Sequence, residues 1–144
     1  MPDRPIRTII EDQRPVTAAS DITVAAAAQL MKHHHIGAIL IVENDQLAGI
    51  FTERDAVFRV IAEGRDPSTT RVAEVMTSNP RTIDAERPFG HALHLMYEGG
   101  FRHVPVVKGA RPIGMVSARD ALGPDLEQFI SDLETRTHIG EILG

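Results

Sequence analysis

The chain has 144 residues, of which 42% are hydrophobic and 24% charged, as expected for one folded domain or two small halves that share a core. Its net charge of −5 and aromatic content of 4% argue against nucleic acid as a partner. It has no cysteine, so disulfides are excluded. It shows no secretory-type leader, and its longest apolar run, Ile36–Val42, is too short to span a membrane, so we predict a cytoplasmic protein.

The predicted elements occur twice along the chain. Segment 15–56 aligns without a gap on segment 80–121, and ten of the 42 aligned positions are identical. Chance would give about two or three identities, so we interpret the chain as a duplication. We therefore predict an α+β (mixed α/β) fold of tandem β-α-β-β-α repeats, 6–66 and 67–124, packed as a pseudo-two-fold pair and followed by a tail, 125–144.

Each repeat is predicted to begin with a short strand, and these two strands cover Val16–Ala18 and Arg81–Ile83. A helix with an apolar face follows, beginning after Thr23 in the first repeat and at Pro88 in the second. Glycine favours helix ends because it adopts positive φ without strain. We expect Gly37 to end the first of these helices and Gly99–Gly100 to end the second.

Two further strands in each repeat should form a hairpin, which pairs Ala38–Val42 with Leu47–Phe51 and His103–Val107 with Pro112–Val116. Thr52 and Ser117 are good N-cap residues, so a second helix is predicted to begin at each. A short helix is predicted between the repeats, at Arg71–Met76. In the tail, Leu126, Phe129, Ile130 and Leu133 form one helical face that should dock on the pair or on a second chain.

The sharpest repeated motif is Gly-x-x-Thr/Ser-x-Arg-Asp, which spans 49–55 and 114–120. A hydroxyl and a carboxylate three residues apart share one helix face and could form a capping box. The same pair could bind a ligand, because a carboxylate accepts both hydrogens of a ribose diol and an arginine near a helix N-terminus suits phosphate. The motif alone supports both interpretations equally.

Together with the strand His103–Val107 and the segment Val72–Thr77, the tandem motif resembles a cystathionine-β-synthase (CBS) domain pair, or Bateman module. This resemblance implies clefts between the repeats that bind an adenosine-containing small molecule: AMP, ADP, ATP, sometimes NAD or S-adenosylmethionine. It also implies a module that regulates a partner protein rather than an enzyme.

The resemblance implies ligand-contacting positions as well. Asp55 and Asp120 would bind ribose, and Thr52 and Ser117 would lie near ribose or phosphate. The strands beside the adenine would contribute Thr17, Ala18, Thr82, Ile83, Ala38, Leu40, His103, Val104 and Pro105. We assign the phosphates to Arg54, Arg119, Arg102 and His103. Because the first repeat has Gly37-Ala38 where the second has Arg102-His103, the second repeat is predicted to form the better phosphate site.

The sequence therefore predicts a regulatory module that binds an adenine nucleotide, acts on an unknown protein and requires no cofactor. We expect this module to form a homodimer through its exposed helix faces. Two alternatives stay open. One is a protein-interaction module with degenerate, empty clefts, and the other is an enzyme of unrecognised type, although no P-loop, Gly-x-Ser-x-Gly or His-Glu-x-x-His motif is present. No metal site is predicted, because three consecutive helical histidines, 33–35, point in different directions.

Overall fold

The computed structural model describes residues 3–123 and 131–136. The strands are β1 (Thr17–Ala18), β2 (Ala38–Glu43), β3 (Gln46–Thr52), β4 (Thr77–Ser78), β5 (Ile83–Asp84), β6 (His103–Lys108) and β7 (Arg111–Ser117). The helices are α1 (Ile6–Ile10), α2 (Val24–His34), α3 (Glu53–Asp55, continued by a π-helix over Ala56–Ile61) and α4 (Phe89–Gly99). Short 3₁₀ turns cover Val72–Glu74 and Ala118–Ala121.

The strands form two sheets, one per repeat, with orders β1-β2-β3-β4 and β5-β6-β7. Their registers match at the offset seen in the sequence: Ala18 pairs with Ile41 in the first sheet, and Ile83 pairs with Val106 in the second. Each hairpin also shifts register at the matching place, after Ile41 and after Val106. The duplication inferred from the sequence is thus confirmed in the backbone, and the mixed helix-and-strand fold is as predicted.

The ends of the two long helices agree with the sequence in three of four cases. Thr23 caps α2, and its hydroxyl accepts a backbone N–H at 3.1 Å. Pro88 is the N-cap of α4, and Gly100 ends that helix with a φ of 71°. The expectation for Gly37 was wrong, because α2 ends earlier, where His35 takes the left-handed conformation (φ 54°) and its N–H bonds back to the helix.

The predicted helix between the repeats is only a 3₁₀ turn. It belongs to one of two short arms, each of which packs in the core of the other repeat. The N-terminal arm (residues 4–10) places Ile6 and Ile10 in the core of the second repeat. The linker arm (residues 70–76) places Val72 and Val75 in the core of the first repeat. Each repeat therefore fills its hydrophobic core with side chains that come from outside its own predicted sequence boundaries.

The two arms dock with matching backbone hydrogen bonds. The amide of Ile6 donates to the carbonyl of Arg87 at 3.0 Å, and the amide of Val72 donates to the carbonyl of Ile22 at 2.9 Å. The acceptors, Ile22 and Arg87, are equivalent positions in the alignment of the repeats, whereas Ile6 would align with Arg71 rather than with Val72. The stretch from the arm to the first strand is therefore one residue longer after Ile6 than after Val72, and the arms are a further part of the duplication.

The repeated glycine of the motif makes room for these arms. A Cβ at Gly114 would lie 2.8 Å from Cβ of Ile10, and a Cβ at Gly49 would lie 2.6 Å from Sδ of Met76. Both distances are too short for real atoms. The Met76 side chain is flexible, but a Cβ at Gly49 would also lie 2.8 Å from the backbone carbonyl oxygen of Thr77, directly after the linker arm, so glycine fits best at both positions. Packing therefore explains why the motif has glycine at this position, independently of any ligand.

A third apolar cluster joins the halves. Ala38, Leu40 and Ile50 are buried there and pack with Leu47 and Met115. The amide of Leu47 also donates to the carbonyl of Ala110 at 2.8 Å, which links the two hairpins. The predicted pairing of the two repeats therefore has its own buried contact surface.

Most of the predicted tail face, Leu126, Phe129 and Ile130, lies outside the described residues. Residues 131–136 are helical, and Leu133 is 45% exposed. No helix in the described part of the chain is both long and apolar enough to cross a membrane.

Candidate functional site

A cleft with a volume of about 1030 Å³ lies between the two repeats. We call it the Asp55 cleft. It is lined by Ile50, Thr52, Glu53, Arg54, Asp55, Val57, Phe58, Arg59, Thr77, Asn79, Pro80, Arg81, Gly100, Phe101, Arg102 and His103. Its two sides come from the start of α3 and from the chain entering β6, with the segment after β4 completing the wall.

Asp55 is held at the cleft by a capping box. One oxygen, Oδ2, accepts the backbone N–H of Thr52 at 3.0 Å, and the Thr52 hydroxyl accepts the N–H of Asp55 at 3.2 Å. The other oxygen, Oδ1, lies 3.5 Å from Nε of Arg59, and the Asp55 side chain is 12% exposed. A carboxylate oxygen can accept more than one hydrogen bond. The structure thus shows that Asp55 caps its helix while it lines the cleft.

Arg54 and Arg59 have different surroundings. The Arg59 guanidinium donates to the carbonyls of Val75 and Met76, each at 3.2 Å, so it ties α3 to the linker arm. The Arg54 guanidinium lies 5.4 Å from the centre of the Phe58 ring and makes a long, 3.5 Å hydrogen bond to the carbonyl of Gly100. Arg54 therefore reaches from the first repeat to the second across the cleft.

The second repeat contributes Arg102 and His103 to the lining of the cleft. His103 is half-buried, and this burial lowers its pKa below the ordinary value of 6.5. The charge of Arg102 lowers the pKa further, whereas Glu53 and Asp120 oppose the shift. The imidazole of the folded protein therefore stays neutral to lower pH than a free histidine does.

We expect the lowered pKa of His103 to make folding stability depend on pH. Because the folded state disfavours the charged imidazole, this contribution is complete above the unfolded pKa of about 6.5 and is lost as pH falls toward the folded value. His103→Gln should therefore lose less stability than the wild type between about pH 7.5 and 5.5. Urea unfolding at each pH measures the difference, with exposed His91→Gln as the control. Parallel curves for His103→Gln and wild type would contradict this expectation.

Asp120 lies in a second capping arrangement that does not line this cleft. Its Oδ2 accepts the backbone N–H of Ser117 at 2.8 Å, and its carbonyl accepts a hydrogen bond from the Arg4 guanidinium. The structure thus places Arg102 and His103 on the cleft that Asp55 lines, whereas the sequence interpretation had assigned them to a phosphate site of the second repeat. Asp120 still lies close enough to His103 for its charge to act on the imidazole.

The remaining predicted positions divide by burial. Ala38, Leu40, Val104 and Pro105 are almost fully buried, and Ile83 is only 7% exposed, so these side chains belong to the protein interior. At the starts of the repeats, Thr17 and Thr82 are exposed and Ala18 is partly exposed. Arg119 is exposed on the 3₁₀ turn that follows Ser117. Of the sixteen positions, the Asp55 cleft gathers five: Thr52, Arg54, Asp55, Arg102 and His103.

The sequence interpretation missed several lining residues. Glu53 and Phe58 lie within or just after the motif, and Arg81 and Phe101 flank strands of the second repeat. Glu53 also rests over Gly37, where a Cβ would come within 2.9 Å of its carboxylate. Arg81 carried no such signal, and it lies two residues after Asn79, which takes a φ of 50° in the structure.

Comparisons with known proteins agree with this architecture. The family model of the CBS domain matches residues 6–62 and 72–124. The CBS domain-containing protein CBSX3, mitochondrial, of Arabidopsis thaliana is 35% identical over 120 residues, which cover 80% of this chain and 58% of that protein. The chain spans only about a fifth to three fifths of the first curated relatives it matches.

Solved structures agree as well. The CBS-domain containing protein ATU1752 from Agrobacterium tumefaciens superposes with a TM-score of 0.75 at 30% identity, over 83% of this chain and 97% of that one. The CBS domain pair of MJ0100, solved with 5′-methylthioadenosine and S-adenosyl-L-methionine, has a TM-score of 0.75 at 29% identity, over 83% and 94%. With two matched domains, the same pairing of repeats and these relatives, the chain belongs to the CBS domain family as a tandem pair.

Proposed function

We propose that this chain is a regulatory module that binds an adenosine-containing ligand in the Asp55 cleft and modulates a partner protein. It catalyses no reaction in this proposal. Binding would favour one packing of the two repeats over another and so change the affinity for the partner. We propose the cytoplasm as its place of action.

One observation carries the proposal: the cleft is lined by a carboxylate from one repeat and by a guanidinium and a neutral imidazole from the other. Asp55 lies on one side, Arg102 and His103 lie on the other, and Arg54 spans the gap toward Gly100. A carboxylate suits the ribose diol and the guanidinium groups suit phosphate. The MJ0100 pair, of similar structure, holds two adenosine compounds, which supports the same ligand class here.

A thermal-shift panel tests the proposal with AMP, ADP, ATP, NAD and S-adenosylmethionine. A ligand that binds only the native state must raise the melting temperature as its concentration passes the dissociation constant. We expect at least one adenosine compound to do so and guanosine analogues to do so less. The absence of any shift would instead favour an interaction module with empty clefts, and turnover of a nucleotide during incubation would favour an enzyme.

We propose further that the module is a homodimer through its exposed helix surface. On α3, Val57, Phe58 and Ile61 are 49%, 57% and 70% exposed, and Tyr97 on α4 is 88% exposed. Large apolar side chains grouped on one helix more often mark an interaction surface than do scattered ones. This surface lies next to the cleft, because Val57 and Phe58 also line it.

Ile61→Asp should weaken this self-association, because the dimer would have to bury a charge. We expect the wild type to sediment as a dimer and Ile61→Asp to sediment as a monomer with an unchanged circular dichroism spectrum. The control is Glu63→Gln, an exposed change two residues along the chain. A monomeric wild type, or a variant that stays dimeric, would contradict the assignment of this surface.

A further inference from the structure

We propose that Arg59 and Arg4 are positioning residues that tie the aspartate motif of each repeat to the arm packed in that repeat. Each of the two guanidinium groups links an arm to a motif. Through Arg59, the linker arm and a ligand in the Asp55 cleft stabilise each other. This inference rests on the proposed function for its ligand and adds a coupling between that ligand and one arm.

Arg59 contacts the cleft aspartate and the linker arm with one side chain. Its Nε lies 3.5 Å from Oδ1 of Asp55, and its Nη1 donates to the carbonyls of Val75 and Met76, each at 3.2 Å. The other carboxylate oxygen of Asp55 is held by the helix cap. Because a guanidinium is planar and rigid, these contacts fix the direction of the carboxylate relative to the linker arm. Movement of the arm would therefore change how Asp55 is presented to a ligand.

Arg4 makes the corresponding link in the second repeat, from the opposite direction. It belongs to the N-terminal arm, and its guanidinium donates to the carbonyl of Asp120. The same group lies 5.3 Å from the centre of the Phe89 ring, and the Arg4 carbonyl accepts the N–H of Phe89 at 2.8 Å. The N-terminal arm thus connects the turn that carries Asp120 with the start of α4.

The two links use residues that are not equivalent. In the alignment of the repeats Arg59 corresponds to Pro124, and in the register set by the matching backbone bonds of the arms Arg4 corresponds to Thr70. Neither arginine therefore has a counterpart in the other copy, yet an arginine joins arm to motif in both. Because the contact is present in both copies while its residues differ, a shared requirement explains it better than descent from one ancestral residue.

The coupling to a ligand should be confined to the linker arm. Arg59 contacts the carboxylate of Asp55, which is proposed to bind the ligand, whereas Arg4 donates to the backbone carbonyl of Asp120, a residue that does not line the cleft. Coupling between two sites is reciprocal, so a ligand held by Asp55 must stabilise the docked linker arm as much as the arm stabilises the bound ligand. The N-terminal arm is then an internal reference, because global unfolding exposes both arms.

Amide hydrogen exchange on the full chain, without ATP and with ATP at a saturating concentration, tests the inference. The amides of Val72 and Ala73 report on the linker arm and those of Ile6 and Arg7 on the N-terminal arm, since all four donate to backbone carbonyls just before α2 or α4. We expect ATP to slow exchange of the linker-arm amides at least about fivefold more than exchange of the N-terminal-arm amides. Protection against global unfolding alone would slow both sets equally, so the excess measures the coupling.

Variants of Arg59 assign the coupling to this side chain. Arg59→Met should remove the excess, and Arg59→Lys should restore part of it, since lysine keeps the charge but not the planar donor group. Without ligand, Arg59→Met should already speed exchange at Val72 at least about threefold relative to Ile6. The matched control is Arg65→Met, which should keep the excess, because Arg65 binds Glu74 of the same arm at 2.7 Å and does not line the cleft.

The outcomes separate this inference from the proposed function. Equal slowing of both arms by bound ATP, or a full excess in Arg59→Met, would overturn the coupling while the adenosine site stands. If ATP does not bind, the proposed function fails, and the ligand-free comparison still tests the link. Faster linker-arm exchange in Arg59→Met than in Arg65→Met would then support the link, and equal exchange in the two variants would overturn it.

Discussion

Asp55→Asn should weaken ATP binding by about tenfold or more, because it removes the charge from the carboxylate that is proposed to accept the ribose hydroxyls. The amide oxygen can still accept the backbone N–H of Thr52, so the helix cap that this aspartate forms in the structure is largely preserved. Calorimetry measures the loss of affinity, and thermal unfolding without ligand shows how much stability the substitution costs.

The duplication provides the matched control, Asp120→Asn. Asp120 accepts the backbone N–H of Ser117 as Asp55 accepts that of Thr52, so the two substitutions disturb similar caps. Only Asp55 lines the cleft with Arg102 and His103. We therefore expect Asp120→Asn to keep most of the ATP affinity. If Asp120→Asn lost as much affinity as Asp55→Asn, or if neither lost any, the assignment of the ribose site to Asp55 would be wrong.

Ile6→Ala should reduce the free energy of unfolding by about 2–5 kcal/mol, an effect usual for the middle of a core rather than for the sixth residue of a chain. Ile6 is fully buried in the core of the second repeat, and its amide is bonded to Arg87. Urea unfolding measures the change. Arg7→Ala, one residue further along α1 and exposed, is the control and should stay within about 0.5 kcal/mol of the wild type.

Val72→Ala is the companion to this test. Val72 is equally buried and makes the matching backbone bond in the first repeat, so it too should destabilise the protein, though by less than Ile6→Ala because fewer carbons are removed. A wild-type urea midpoint for both variants would show that the arms do not fill the two cores.

The fold could be predicted from the sequence because its signals are local. Short apolar strands, a capping threonine at Thr23 and an ungapped internal match define the elements and their order. The same comparison did not reveal the two arms, because Ile6 and Val72 lie one position out of the register that aligns the repeats. Each arm also packs in the other repeat, which a comparison of sequences does not show. The end of α2 was misplaced because His35 adopts a positive φ that sequence preference assigns to glycine.

The site was predicted less completely than the fold. The repeated motif drew attention to Thr52, Arg54 and Asp55, which line the cleft. It could not separate capping from binding, because Thr52 and Asp55 line the cleft and also cap the helix. Which cations face Asp55 depends on how the repeats are oriented. That orientation is set by the apolar cluster around Leu40 and Met115, whose contacts join residues far apart in the sequence.

The exchanged arms have the topology of a domain-swapped dimer whose two subunits have been fused into one polypeptide. In a separate dimer of single repeats, both subunits would be identical and every cleft position would carry the same residue twice. Fusion keeps the swap within one molecule, so it forms at any protein concentration, and it lets the copies diverge. Arg102-His103 and Gly37-Ala38 occupy equivalent positions yet differ in charge, an asymmetry that a symmetric ancestor could not have contained.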